Sequence, residues 1–178
     1  MRLCIVTDIH IRPSPEECFS ARLAASPDVT RFALNELCGR PDLAGEELHR
    51  HLFDHGGMGD AVSALMQALD GDFFGLGYSA GGTAIWRAAA EGLPFTAIFC
   101  VSSTRLREEK PIATPNHVFF GMEDKNKPSP KWLSTIPSRV TVFQGVGHTY
   151  YLQPESDAGR KTCAQIVRDI KAWQLFTP

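Results

Sequence analysis

The sequence lacks the features of several large functional classes. It has no long run of lysine or arginine, and its formal net charge is -2, so its charge does not predict binding to nucleic acid or to an anionic membrane. No apolar run is long enough to span a membrane, and the run at residues 3–6 is too short for the apolar segment of a signal peptide. Internal repeats and low-complexity segments are also missing.

The cysteines do not form a metal-binding or disulfide pattern. There are five of them, scattered along the chain with no C-x-x-C spacing. An odd and scattered set argues against a disulfide framework and favours a reducing compartment. The sequence therefore predicts a cytoplasmic protein.

The chain of 178 residues has the length of one domain, and we expect residues 1–178 to form it. Short apolar runs predict strands, and segments with helical spacing alternate with them. Such alternation is typical of the α/β class, with a mostly parallel sheet covered by helices on both faces. The predicted strands are 3–7, 29–37 (an extended segment), 73–78, 95–101, 118–120 and 140–143, and the predicted helices are 15–24, 43–53, 59–69, 81–90 and 158–173.

The most informative motif is Gly-Tyr-Ser-Ala-Gly-Gly at residues 77–82, which lies between a predicted strand and a predicted helix. This is the G-x-S-x-G pattern of a nucleophile elbow, in which a serine stands on a sharp turn between closely packed elements. Ser79 is therefore the candidate nucleophile. The following helix directs its first N–H groups at the site, so the N–H of Ala80 is the expected first oxyanion donor.

A serine nucleophile needs a base, and the base needs an acid that holds its tautomer. His148 follows the last predicted strand in Gly-Val-Gly-His, whereas His117 precedes a strand and should lie at the other end of the sheet. His148 is therefore the candidate base. The acid should follow the strand at 118–120, where Asp124 is the first choice and its neighbour Glu123 the alternative.

These motifs resemble the α/β-hydrolase superfamily, and within it the dienelactone-hydrolase-like branch. The similarity rests on residues 77–82, on Gly-x-x-Asp followed by proline at 121–128, and on Gly-x-Gly-His at 145–148. It implies an α/β-hydrolase fold that is shortened at the amino terminus, with the N–H of Ile9 as second oxyanion donor. Enzymes named for dienelactone hydrolysis carry a cysteine where this chain has Ser79, so their substrate is not implied.

Two other interpretations remain open. Asp8-Ile9-His10 after the first strand resembles the D-x-H motif of metallophosphoesterases, although the later motifs of that family are defective here, with Tyr150 in the place of the last histidine ligand. A binding module that keeps a hydrolase scaffold without activity is the third possibility.

The expected reaction is hydrolysis of a small acyl ester, thioester or lactone through an acyl-enzyme intermediate, with no metal and no organic cofactor. Tyr78, His10 and Tyr150 are the candidate pocket residues. Between residues 101 and 118 there is no room for a lid domain, so we expect an open or shallow site. The sequence does not predict an oligomeric state.

Overall fold

The centre of the computed structural model, which describes residues 1–22 and 28–174, is a six-stranded sheet in the order β2-β1-β3-β4-β5-β6. Every pair of neighbouring strands is parallel, which confirms the predicted sheet type. The strands are β1 (Arg2–Val6), β2 (Asp28–Phe32), β3 (Phe73–Tyr78), β4 (Phe95–Val101), β5 (Asn116–Gly121) and β6 (Arg139–Phe143).

Helices cover both faces of the sheet, as predicted. The first five helices pack on one face, where their apolar side chains join those of the sheet in one core cluster. The sixth packs on the other face, together with the short 3-10 segments Phe19–Arg22 and His148–Leu152. The α-helices are α1 (Leu34–Leu37), α2 (Gly45–Asp54), α3 (Gly57–Ala68), α4 (Ala80–Ala90), α5 (Pro130–Thr135) and α6 (Asp157–Gln174).

The central strand β3 explains why the sheet forms where it does. Its sequence, Phe-Phe-Gly-Leu-Gly-Tyr, is buried at every position, as expected for a strand with helices on both sides. Because side chains alternate along a strand, Phe74, Leu76 and Tyr78 face the α6 side, whereas the small Gly75 and Gly77 leave room for α4 on the other side.

The carboxyl ends of all six parallel strands lie at the same edge of the sheet. The order in which the strands are added to the sheet also reverses at β1, because β2 pairs with one side of β1 and β3 with the other. In open α/β sheets a ligand binds in the crevice at such a switch point, outside the carboxyl ends of the strands. A site is therefore expected at this edge.

Two predicted elements differ from the structure. The helix expected at 15–24 is a series of turns followed by the 3-10 segment Phe19–Arg22, and residues 23 and 24 lie outside the described residues. The extended segment expected at 29–37 ends at Phe32, and the short helix α1 follows it. A hydrogen bond from Leu34 N to Thr7 Oγ1, at 3.1 Å, ties the start of that helix to the end of β1.

The connection between β4 and β5 holds a single 3-10 turn, Leu106–Glu108, so no lid domain is inserted at this point. This agrees with the expected fold. None of the helices in the described ranges combines the length and the apolar character that crossing a bilayer requires.

Candidate active site

Ser79 stands on a strained turn directly after β3. Its backbone has φ 52° and ψ −123°, a conformation that a residue with a side chain seldom adopts. The turn requires glycine on both sides: a Cβ at Gly77 would overlap the Cα of Gly82, and one at Gly81 would overlap the carbonyl oxygen of Thr7. The sharp corner therefore projects the serine at the carboxyl edge of the sheet.

A continuous chain of hydrogen bonds joins the three residues that the sequence selected. Ser79 Oγ lies 3.1 Å from His148 Nε2, and His148 Nδ1 lies 3.0 Å from Asp124 Oδ2. Asp124 is buried, and its other oxygen accepts a hydrogen bond from Asn126 N at 2.8 Å. Glu123, the alternative acid, is exposed to solvent. The structure thus brings Asp124, and not Glu123, to the imidazole.

The two candidate oxyanion donors keep their N–H groups available for a ligand. Within residues 1–22 and 28–174, neither Ala80 N nor Ile9 N has a hydrogen-bond acceptor. Ala80 is the first residue of α4, where the partial positive charge of the helix start is concentrated. Ile9 is held in place through its carbonyl oxygen, which accepts a hydrogen bond from Gly45 N at 2.7 Å, at the start of α2.

Asp8 organises the loop that carries Ile9. Its buried carboxylate accepts hydrogen bonds from the backbone N–H groups of His10 (2.7 Å) and Arg12 (2.9 Å), and from the Tyr151 hydroxyl (2.9 Å). Burial, reinforced by the Asp8 carboxylate, raises the pKa of Tyr151 well above its usual value, so that the phenol stays protonated and donates. Because the Tyr151 ring packs edge-on against His148, Asp8 connects the loop that carries Ile9 to the loop of the candidate base.

The same geometry argues against Asp8-x-His10 as a metal-binding motif. The Asp8 carboxylate is already surrounded by hydrogen-bond donors, and Arg12 forms an ion pair with it at 3.2 Å. Among the residues that the structure describes, no third His, Cys, Asp or Glu joins Asp8 and His10 in a group suited to holding a metal ion. The architecture does not favour the metallophosphoesterase interpretation.

The substitution Asp8→Ala is expected to lower the free energy of unfolding by about 2–3 kcal/mol, because it leaves two loop N–H groups and a buried hydroxyl without their acceptor. Urea denaturation monitored by circular dichroism measures the change. Asp72→Ala is the matched control, since Asp72 is exposed just before β3 and its removal should change stability by at most about 0.5 kcal/mol. Equal decreases in the free energy of unfolding of the two variants would contradict the assigned role of Asp8.

The comparisons with known proteins place this architecture among solved structures. No family model matches the sequence, and no curated protein matches it. A dienelactone hydrolase-like promiscuous phosphotriesterase from metagenomic libraries has a TM-score of 0.70 at 14% identity, over 97% of this chain and 86% of its own. Alpha/beta hydrolase domain-containing protein 10 from mouse has a TM-score of 0.68 at 14% identity, covering 96% and 90% of the two chains. This protein has the α/β-hydrolase fold.

A third match is RedJ, the thioesterase from the prodiginine biosynthetic pathway in Streptomyces coelicolor. It has a TM-score of 0.64 at 15% identity and covers 94% of this chain and 89% of its own. Likenesses at this level of identity establish the α/β-hydrolase fold and no more. Any activity depends on the residues at the carboxyl edge of the sheet.

Two of the three expected pocket residues belong to the core on the α6 side of the sheet, which corrects the expectation. Tyr78 is completely buried on the α6 side of β3, and its hydroxyl accepts a hydrogen bond from Phe19 N at 3.2 Å. Tyr150 is also buried, with its hydroxyl 3.2 Å from Thr162 Oγ1 on α6. The alternation of side chains along β3 turns Tyr78 away from the α4 side. His10 is exposed, in the loop that carries Ile9.

Ser79, the candidate nucleophile, is less open than the absence of a lid suggested. Ser79 is only 3% exposed, whereas the His148 side chain is 28% exposed. Thr104 covers part of Ser79, and its hydroxyl lies 2.9 Å from Ser79 Oγ. Thr104 was not among the residues expected from the sequence. The available signal was the run Ser-Ser-Thr at 102–104, directly after the strand next to the elbow strand. We therefore expect a narrow approach to Ser79 from the side of His148.

Proposed function

We propose that this protein is a serine hydrolase that cleaves a small carboxylic ester, or a thioester or lactone, through an acyl-enzyme intermediate. The observation that carries the proposal is the hydrogen-bond chain from the buried Asp124 through His148 to Ser79 Oγ on its strained turn. A carboxylate, an imidazole and a hydroxyl in this order form the arrangement that activates serine for acyl transfer.

Acylation begins when the Ser79 hydroxyl gives its proton to His148 Nε2 and Oγ attacks the substrate carbonyl carbon. The carbonyl oxygen gains negative charge, and the free N–H groups of Ala80 and Ile9 are the donors proposed to stabilise it. Asp124 holds the imidazole with its proton on Nδ1 and stabilises the imidazolium that forms. His148 then protonates the leaving group, and the acyl-enzyme remains.

Deacylation repeats the same steps with water as nucleophile. His148 takes a proton from the water, whose oxygen bonds to the acyl carbon, and the intermediate then expels Ser79 Oγ, which recovers its proton from His148. Neither step requires a metal ion or an organic cofactor. Each proton removed is returned within the cycle, so the protein regains its starting state.

The cysteines support the assignment of a serine rather than a thiol as nucleophile. All five are free and buried. Burial raises the pKa of Cys100 to about 12 and that of Cys4 well above its ordinary value, so these thiols stay protonated and unreactive. Free thiols throughout are also what we expect of a protein in the cytoplasm, which is the location that we propose.

The described activities of the structural neighbours support hydrolysis as the reaction class. They include a dienelactone hydrolase-like phosphotriesterase and a thioesterase. These activities belong to those proteins, and their common element with this chain is the α/β-hydrolase fold. A hydrolase at the same edge of the sheet is the simplest function for this chain.

A fluorophosphonate probe should label the protein stoichiometrically at Ser79, because the activated hydroxyl attacks phosphorus as it attacks a carbonyl carbon. Intact-protein mass spectrometry measures the extent of labelling, and peptide mapping locates the adduct. Turnover of p-nitrophenyl acetate should disappear in proportion to labelling. A protein that takes no probe and turns over no ester would be a binding module on a hydrolase scaffold.

Two treatments separate this proposal from its competitors. Ethylenediaminetetraacetate should leave ester turnover unchanged, whereas a metal-dependent phosphoesterase would lose its activity. Iodoacetamide should also leave turnover unchanged, since the buried thiols take no part in the reaction. The serine mechanism would be contradicted if ester turnover were lost with the chelator but persisted after complete phosphonate labelling.

A further inference from the structure

The reacting oxygen of Ser79 has a second hydrogen-bond partner that the Ser-His-Asp arrangement does not include. Thr104 Oγ1 lies 2.9 Å from Ser79 Oγ, and His148 Nε2 lies 3.1 Å from the same atom. A hydroxyl carries one hydrogen and two lone pairs. When Ser79 directs its hydrogen to His148, its oxygen can only accept from Thr104. Thr104 is therefore the donor in the reactive arrangement.

The loop around Thr104 is built to hold this hydroxyl in place. Thr104 is buried, and its carbonyl oxygen accepts a hydrogen bond at 2.5 Å from Thr83 Oγ1, on the helix that begins at the elbow. Ser102, two residues before it, at φ 48° and Arg105, directly after it, at φ 59° both adopt left-handed backbone conformations without being glycine. Backbone strain of this kind persists where the surrounding structure imposes it, and it is concentrated at functional sites.

The loop is also anchored to the sheet, so its strain cannot relax easily. Ser102 N donates to the carbonyl oxygen of Phe119, on β5, at 2.8 Å. The Ser102 hydroxyl itself is buried and has no hydrogen-bond partner among the described residues. Of these two hydroxyls, only that of Thr104 is directed at the nucleophile.

We infer that Thr104 is a further catalytic residue, whose hydroxyl stabilises Ser79 Oγ as the leaving group of deacylation. The inference rests on the proposed function. In the acyl-enzyme, Oγ is an ester oxygen and a weak acceptor. When the bond between the acyl carbon and Oγ breaks, its electron pair goes to Oγ, which then accepts a stronger hydrogen bond from Thr104 until His148 returns the proton. Thr104 itself transfers no proton.

The same hydrogen bond affects acylation in the opposite direction. Before attack it engages a lone pair of Ser79 Oγ, and it weakens as that oxygen bonds to the substrate carbon. An interaction accelerates a step only if it is stronger in the transition state than in the ground state. Thr104 therefore favours deacylation and does not favour acylation, which separates its role from that of His148, which serves both steps.

The test is Thr104→Val, which replaces the hydroxyl by a methyl group of similar size, with p-nitrophenyl acetate in stopped-flow experiments. We expect kcat, set by deacylation, to fall by about 10- to 100-fold, the usual effect of losing a hydrogen bond to a charged group. Acylation is reported by kcat/KM and by the rate of the p-nitrophenol burst, and both should change by at most about threefold. KM should therefore fall together with kcat. Thr104→Ser should restore kcat, because it restores the hydroxyl.

Ser102→Ala is the matched control, since it removes a buried hydroxyl of the same loop that has no partner, and kcat should stay within about twofold of the wild type. If Thr104→Val does not fold, as judged by its thermal transition, Thr104→Ala provides the same comparison. An unchanged kcat, or equal losses of kcat and kcat/KM that serine does not rescue, would overturn the inference. A wild-type protein that gives no burst and takes no phosphonate would instead remove the proposed function.

Discussion

Replacement of Ser79 by alanine is expected to reduce ester turnover by about four to six orders of magnitude, because the variant has no atom that can form the acyl-enzyme. The loss should appear in kcat, and phosphonate labelling should disappear with it. Steady-state hydrolysis of p-nitrophenyl acetate measures the first effect, and intact-protein mass spectrometry measures the second. The thermal transition should stay close to that of the wild type, since the side chain is small.

The combination of Ser79→Ala with His148→Ala tests whether the two residues act as a unit. Each single variant should lose about as much turnover as the double variant, because an imidazole without its serine has no proton to accept. Losses that add in the double variant would mean that the two side chains act independently. A Ser79→Ala protein that still takes the phosphonate would place the nucleophile at another residue.

Much of the fold could be predicted because its central strands are buried on both faces. The expected strands at 73–78 and 95–101 have the bounds of β3 and β4, since a short apolar run that is followed directly by a serine leaves little choice of limits. The helix expected at 158–173 differs from α6 by one residue at each end. These elements depend on local patterns that tertiary contacts reinforce.

The first third of the chain was harder to predict, because long-range contacts decide its conformation. The segment expected to form a helix at 15–24 is drawn to the sheet by Tyr78, whose hydroxyl accepts from Phe19 N and lies 3.1 Å from Cys18 Sγ. The extended segment after residue 29 turns into α1 where Leu34 N meets Thr7 Oγ1. Tyr78 and Thr7 are both far along the sequence from the segments that they contact, so a local pattern does not indicate these contacts.

In the candidate site, too, some residues could be predicted from local sequence and others depend on long-range contacts. Ser79, Asp124 and His148 could be selected because each follows a strand, and parallel strands bring their carboxyl ends to one edge. Thr104 also follows a strand, but its role and that of Tyr151 depend on side-chain directions that strand order does not specify. Tyr78 was expected in the pocket and is buried for the same reason: its neighbour Ser79 leaves the strand, while Tyr78 keeps the orientation of β3.

The substitution Asp124→Asn is expected to reduce kcat by about 10⁴-fold with little change in stability, because it reverses the tautomer of His148. In the wild type, His148 Nδ1–H donates to Asp124 Oδ2 at 3.0 Å, which leaves Nε2 free to accept the Ser79 proton. An asparagine amide can donate to Nδ1 instead. Asn126 Nδ2, 3.4 Å from Nδ1, can do the same once the carboxylate is gone. Both donors favour a proton on Nε2, where it blocks the base.

Glu123→Gln is the matched control for this measurement, since it removes a neighbouring carboxylate by the same chemical change. Glu123 is exposed and Asp124 is buried, so the control should keep kcat within about twofold of the wild type. A large loss in Glu123→Gln with a small one in Asp124→Asn would exchange the two assignments. Because both variants change the net charge equally, a difference between them reports the hydrogen bond to the imidazole and not the charge of the loop.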